Sequence, residues 1–165
     1  MYERDGIFKN IVKLFLILHN LRSAENVGSI LRTADAVGLE KVYLSGITPA
    51  PVDRFGRPNA RVLKASLGAE MSMPWEIRED TPSLIAELKQ SGLQILALEQ
   101  DEKSLDYRTV KLERDTALIV GNEVSGIEQD ILSLADSIIE IPMRGKKESL
   151  NVSVACGVVL FALLR

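Results

Sequence analysis

An α/β fold, with a mostly parallel sheet covered by helices on both faces, is predicted from three observations on this 165-residue chain. Five short apolar runs are bounded by polar residues or glycine. Segments of helical period lie between them. The length and the 46% hydrophobic content suit one globular domain with a sizeable core. Strands that alternate with helices are the pattern of a parallel sheet whose faces are both buried.

The elements follow in order. After a polar start at residues 1–10, strands are predicted at 12–18, 41–45, 93–98, 117–120 and 137–141. Residues 26–37 place Val27, Ile30, Leu31, Ala34 and Val37 on one helical face, and Gly38 is suited to stop that helix. Residues 48–59 hold Pro49, Pro51, Gly56 and Pro58 and read as a long loop able to move or to become ordered on binding a partner. A helix over 81–91 has Ser83 or Thr81 as its cap and Gly92 as its stop, and another is predicted over 128–135. The last helix, 150–164, carries Val, Ala, Gly and Leu at nearly every position, so it must be buried almost all round; Ser149 and Asn151 both suit its N-cap.

Composition removes several function classes. A formal charge of −3 and a pI near 5.3 argue against a protein that coats nucleic acid nonspecifically, because such binding neutralises many phosphates with Lys and Arg. Any contact with nucleic acid must then come from local patches. The single cysteine, Cys156, supports no disulfide framework and reads as a small buried hydrophobe. The apolar run 11–18 is interrupted by Lys13 and is too short to cross a bilayer, and no signal pattern precedes it, so a cytoplasmic location is expected. No internal repeat or interdomain linker is visible, and residues 1–165 are expected to form one domain without a separate RNA-binding domain.

Three separated blocks carry the chemistry. The first runs His19-Asn-Leu-Arg-Ser-Ala-Glu-Asn26-Val-Gly28-Ser-Ile-Leu-Arg32 and on to Gly46; the second is Ala117-Leu-Ile-Val-Gly121-Asn-Glu123-Val-Ser-Gly126-Ile-Glu128; the third spans 141–165, with Ser149-Leu150-Asn151 at a helix start. In order and spacing these resemble the SpoU branch of the SPOUT superfamily, the TrmH-like RNA ribose 2'-O-methyltransferases, over about residues 14–165. The resemblance implies a C-terminal trefoil knot whose threaded part begins near Ile119, S-adenosylmethionine as methyl donor, no metal, and a homodimer with the site near the subunit interface. The 152–164 helix is the expected contact, since it carries more apolar residues than one packing face requires.

Carried over residue by residue, the resemblance assigns donor binding to Leu98, Gly121, Ile141, Met143 and Leu150, and site roles to Asn26, Arg32, Glu123, Ser149 and Asn151. Glu123 would orient Asn or Arg partners. Asn151 would hold the site geometry, and Ser149 would lie in the donor or hydroxyl region. Arg32 would stand at the target ribose. A guanidinium is a very weak acid and accepts protons poorly, so binding phosphate and stabilising a developing alkoxide suit Arg32 better than acting as base. Asn26 and Arg32 are six residues and about 240° apart on a helix, which places Asn26 at the helix start and Arg32 on another face. The Gly121–Gly126 segment is not a phosphate loop of the P-loop kind, because Ile127-Glu128 stands where Lys-Ser or Lys-Thr is required.

Basic residues gather at Arg54, Arg57, Arg61 and Lys64, and again at Arg144, Lys146 and Lys147, in loops beside the expected site. Acids gather at Glu99, Asp101, Glu102 and Asp106, which suggests one positive face that positions RNA through its phosphates. His19, the only histidine, stands at a strand end with no acid at a spacing that suggests a triad or metal site; Trp75 reads as packing at a strand or loop edge, or as a base-stacking ring. The expected function is methylation of RNA, with transfer RNA ahead of ribosomal RNA and neither DNA nor membrane as partner. A non-catalytic RNA- or nucleoside-binding module would keep the pocket without the polar set, and a scaffold protein would need neither.

Overall fold

The computed structural model describes residues 12–164; residues 1–11, with the polar start and Ile11, and Arg165 lie outside them. Seven parallel strands form one sheet: β1 Leu14–His19, β2 Lys41–Ser45, β3 Trp75–Arg78, β4 Gln94–Leu98, β5 Leu105–Asp106, β6 Thr116–Val120 and β7 Ser137–Glu140, in the order β3-β2-β1-β6-β4-β7-β5. The helices are α1 Ala24–Val37, α2 Ala60–Ser66, α3 Ala69–Ser72, α4 Thr81–Gln90, α5 Gln129–Leu132 and α6 Val152–Leu163.

Side-chain alternation along the strands divides the core into two layers. Leu16, Leu18, Val42, Leu44, Leu96, Leu118 and Val120 point to the face covered by α1 and α6, while Ile17, Tyr43, Ile95, Ala97, Ala117 and Ile119 point to the face covered by α4 and α5. The α1 helix begins two residues earlier than predicted, because the Ser23 side chain accepts the N–H of Asn26, and Gly38 ends it in the left-handed conformation (φ 78°). Gly28 is set by packing: a Cβ there would lie 2.4 Å from the Val62 carbonyl oxygen and 2.6 Å from Ala65 Cβ, so only glycine lets α1 and α2 approach this closely.

The differences from expectation lie mainly at residues 48–78. Two short helices and the edge strand β3 occupy 60–78, where no helix or strand was predicted. Asn59 signals the first of them by accepting the N–H groups of Arg61 and Val62. Trp75 begins β3 and donates its indole N–H to the Glu70 carbonyl at 3.1 Å. The cap of α4 is Asp80, not Thr81 or Ser83: its side chain accepts the Ser83 N–H. The predicted 128–135 helix shortens to one turn.

The last helix departs from the expectation of burial all round. Its N-cap is Asn151; Cys156, Val159, Leu160 and Leu163 are buried, but Val154, Val158, Phe161 and Leu164 face outward, with Phe161 59% exposed. Among the described residues, nothing covers that second apolar face. Burial pushes the Cys156 thiol up to about 12, which leaves it uncharged and unreactive, as expected of a small core residue. Among the described residues, no helix is long and apolar enough to cross a membrane.

Candidate active site

Register alone places the site. Leu18 pairs with Val120, Val120 with Leu98, and Leu98 with Ile139, so β1, β6, β4 and β7 end at one level. The loops that follow them, residues 20–23, 121–128, 99–104 and 141–151, therefore leave the carboxyl edge of the sheet together, where ligands of open α/β sheets bind. They enclose an open cleft of about 900 Å³.

Nine of the ten residues assigned to catalysis or donor binding line this cleft: Asn26, Glu123, Ser149, Asn151, Leu98, Gly121, Ile141, Met143 and Leu150. Three of them are bonded in a row. The Glu123 carboxylate accepts the backbone N–H of Arg22 at 2.9 Å, that of Ser23 at 3.0 Å and the Asn26 side-chain amide at 3.0 Å. Asn26 in turn accepts the Asn151 amide at 3.1 Å, and the Asn151 side-chain oxygen caps α6 by accepting the Ser153 N–H at 2.9 Å. One chain of contacts thus ties the β6 loop to the starts of α1 and α6. Burial pushes the Glu123 carboxyl up, but the Arg22 N–H, the Asn26 amide and the Ser23 N–H outweigh it and hold the group below its ordinary value, ionised at neutral pH.

The remaining loops are pinned in the same way. Glu99, directly after β4, accepts the N–H of Ile127 at 2.9 Å, and Gln100 donates its side-chain amide to the Glu148 carbonyl at 2.6 Å. Gly126 turns in the left-handed region (φ 69°), and a Cβ on it would lie 2.3 Å from that Glu99 carboxylate. At Gly121 a Cβ would meet Ile127 Cγ1 at 2.5 Å and the Gly126 carbonyl at 2.6 Å, so the β6 loop can fold back only over glycine.

Arg32 is the tenth residue, and this chain does not bring it to the cleft. It lies with Ser29, Thr33, Ala36, Ala65 and Phe161 around a separate hollow, on the side where α6 leaves its apolar residues uncovered. Of the residues assigned to RNA, Arg61 lines the cleft; Arg54, Arg57, Lys64, Arg144 and Lys146 are not part of its wall. Arg22 lines it as well and was not anticipated. The expected separation of charge is corrected too: Glu99 and Glu140 stand in the cleft wall, so acids are not segregated from the basic residues.

His19 also differs from expectation. Spacing suggested no acidic partner, yet Nε2 is 2.7 Å from the Glu128 carboxylate and Nδ1 is 2.8 Å from the Thr81 hydroxyl, which is itself bonded to Ser45. The ring is buried outside the cleft wall. It braces the ends of β1 and β2 against the first residues of α4 and α5. Glu128 lies 109 residues from His19, and no local pattern links them.

The cleft meets the chemical requirements of a sulfonium-bearing nucleoside. Leu98, Val120, Ile141, Met143, Leu150 and Val152 supply an apolar slot of the kind an adenine ring fills, and Glu99, Glu123 and Glu140 supply negative charge for a sulfonium and an ammonium group. Among the described residues, no group of His, Cys, Asp or Glu is arranged to hold a metal ion.

Similarity to known proteins agrees with this reading. The model of the SpoU rRNA Methylase family matches residues 13–161. A tRNA (guanosine(18)-2'-O)-methyltransferase of Escherichia coli (strain K12) is 34% identical over 152 residues, which cover 92% of this chain and 63% of that protein. One from Aquifex aeolicus (strain VF5) is 32% identical over 166 residues, covering 98% of this chain and 74% of the relative. Among solved structures, an AdoMet-bound rRNA methyltransferase from Sinorhizobium meliloti matches with a TM-score of 0.82 and 29% identity, over 91% of this chain and 55% of that one. The chain thus spans less than two thirds of the length of the Escherichia coli relative.

Proposed function

We propose that this chain, which belongs to the SpoU rRNA Methylase family, transfers a methyl group from S-adenosylmethionine to a ribose 2'-hydroxyl of RNA. The observation that carries the proposal is the bonded row Glu123–Asn26–Asn151 standing beside the apolar slot of Leu98, Ile141 and Leu150. A pocket alone would serve a binding module; a polar row fixed at the mouth of the slot serves a reaction.

When bound, the donor supplies an electrophilic methyl group on sulfur. Leu98, Gly121, Ile141, Met143 and Leu150 hold it in the slot, and Ser149 faces the reacting groups from the loop before α6. Asn26 and Asn151 fix the wall on which the ribose rests, and Glu123 keeps Asn26 in place. Calorimetry with S-adenosylmethionine or its demethylated product should show binding that a chelator leaves unchanged; no binding, or binding lost on chelation, would remove the donor assignment.

We assign a second copy of the chain to the uncovered face of α6. Val154, Val158 and Phe161 follow the i, i+4, i+7 spacing of one helical stripe, and Arg32 shares a hollow with Phe161. Docking there would bring Arg32 to the junction of two chains, from which it would act in the neighbouring copy's cleft by binding phosphate and stabilising the developing alkoxide. Sedimentation at micromolar concentration should give about twice the 18.2 kDa chain mass; a mass near 18.2 kDa would exclude the dimer. A trefoil knot formed by the segment from Ile119 belongs to the same proposal, supported by the way Glu99 and Gln100 clasp the 121–128 and 141–151 loops.

Transfer RNA is the proposed substrate, supported by the names of the Escherichia coli and Aquifex aeolicus relatives; ribosomal RNA is the second reading, supported by the Sinorhizobium meliloti structure. Arg54, Arg57, Arg61, Lys64, Arg144 and Lys146 would bind its phosphates. One domain acting on RNA in the cytoplasm completes the proposal.

A further inference from the structure

Residues 52–58 form a small, tightly built hairpin with an aromatic ring at its tip. Val52 and Pro58 pair across its base, and Asp53 organises the turn: its carboxylate accepts the N–H of Phe55 at 2.8 Å, the N–H of Arg57 at 2.9 Å and Arg57 Nε at 2.7 Å. Gly56, in the left-handed region (φ 77°), donates its N–H to the Asp53 carbonyl at 2.9 Å. Such a turn holds Phe55 outward, 68% exposed. Its ring lies 4.9 Å from the Arg54 guanidinium and 5.1 Å from that of Arg57.

The hairpin is anchored next to the cleft. The Asn59 N–H bonds to the Pro51 carbonyl at 2.8 Å, and the Asn59 side chain caps α2, whose second residue, Arg61, lines the cleft wall. An exposed ring with two guanidinium groups close by offers what a nucleotide asks for, a flat apolar face for the base and positive charge for its phosphate. A base inside a duplex has both faces stacked on its neighbours, so the match is to an unpaired, unstacked one.

Resting on the RNA reading above, we propose that Phe55 is a stacking platform for an unpaired base adjoining the nucleotide held in the cleft, with Arg54 and Arg57 binding the flanking phosphates. The target ribose then lies in a loop or single-stranded stretch, and the hairpin selects for that.

The test uses the whole chain, a labelled single-stranded RNA oligonucleotide of mixed sequence, and the same RNA annealed to its complement. Phe55→Ala should weaken single-strand binding about tenfold without changing the salt slope, whereas Arg57→Ala should reduce that slope. Duplex binding and S-adenosylmethionine affinity should be unchanged in Phe55→Ala. Phe55→Trp should bind like the wild type, and its emission should fall when RNA saturates it, measured against the wild-type protein, whose sole tryptophan is Trp75. A merely structural ring would give no such quenching. Phe55→Ala binding as tightly as the wild type, or an unquenched Phe55→Trp with RNA bound, would overturn the platform and leave the methyltransferase reading standing. A wild-type protein that binds no RNA would overturn both.

Discussion

Replacing Arg32 with alanine is expected to leave S-adenosylmethionine affinity within about threefold and to depress methyl transfer by a factor on the order of 10² or more, the scale of losing one preorganised charge-stabilising group. Two facts set the asymmetry. The slot residues lie at the ends of β4 and β6, on the 141–151 loop and at the start of α6, and Arg32 is neither among these segments nor in the cleft wall. Arg32→Lys should recover little, since an ammonium group lacks the planar fork that meets phosphate and alkoxide oxygens together. Action from the neighbouring copy adds a second readout. Mixing inactive Arg32→Ala with inactive Glu123→Ala should restore part of the activity, because one cleft of each mixed dimer then combines an intact Glu123 with an intact Arg32. Full turnover by Arg32→Ala would defeat the assignment.

Glu123→Ala should be nearly as damaging to turnover, by about 10², while costing only about 1 kcal/mol of global stability because the carboxylate is largely solvent-facing. Its loss leaves the Arg22 and Ser23 N–H groups and the Asn26 amide without their acceptor, and Asn26 is the link to Asn151. Glu123→Gln should rescue poorly. Both carboxylate oxygens accept from donors, so an amide must turn its own NH2 against one of them. The same group predicts an acid-side pH dependence. A carboxyl held below its ordinary value stabilises the loop junction fully above the ordinary glutamate range, and that stabilisation is lost as the pH falls through the depressed value. Acid titration of thermal stability should show a shallower decline in Glu123→Gln than in the wild type; identical curves would mean that the carboxylate does not hold the junction.

The sequence was most readable where apolar runs are long and where a local signal is unambiguous. The runs at 41–45 and 117–120 became central strands, and Gly38 stopped α1 as its position suggested. Strand β3 was invisible because an edge strand needs no continuous apolar run: Trp75, Glu76, Ile77 and Arg78 are all partly or fully exposed. Strand β5 has two residues, too few for any pattern. The cleft residues were legible through the agreement of three separated blocks, and strand register explains why those blocks meet. Pairings at long separation were not legible at all. His19 with Glu128 and Glu99 with Ile127 are made by the sheet order, which brings β6 between β1 and β4. The placement of Arg32 shows the same limit in another form: helical spacing correctly put it on a different face from Asn26, but what that face meets is not encoded in the spacing of one chain.

The most direct measurement incubates the protein with labelled S-adenosylmethionine and bulk cellular RNA, digests the RNA to nucleosides and identifies the labelled product. A 2'-O-methylated nucleoside, released mainly from the transfer RNA fraction and absent when Arg32→Ala replaces the wild type, is the predicted result. Label on a base, or no label in any RNA fraction from a protein that binds the donor, would contradict the proposed reaction.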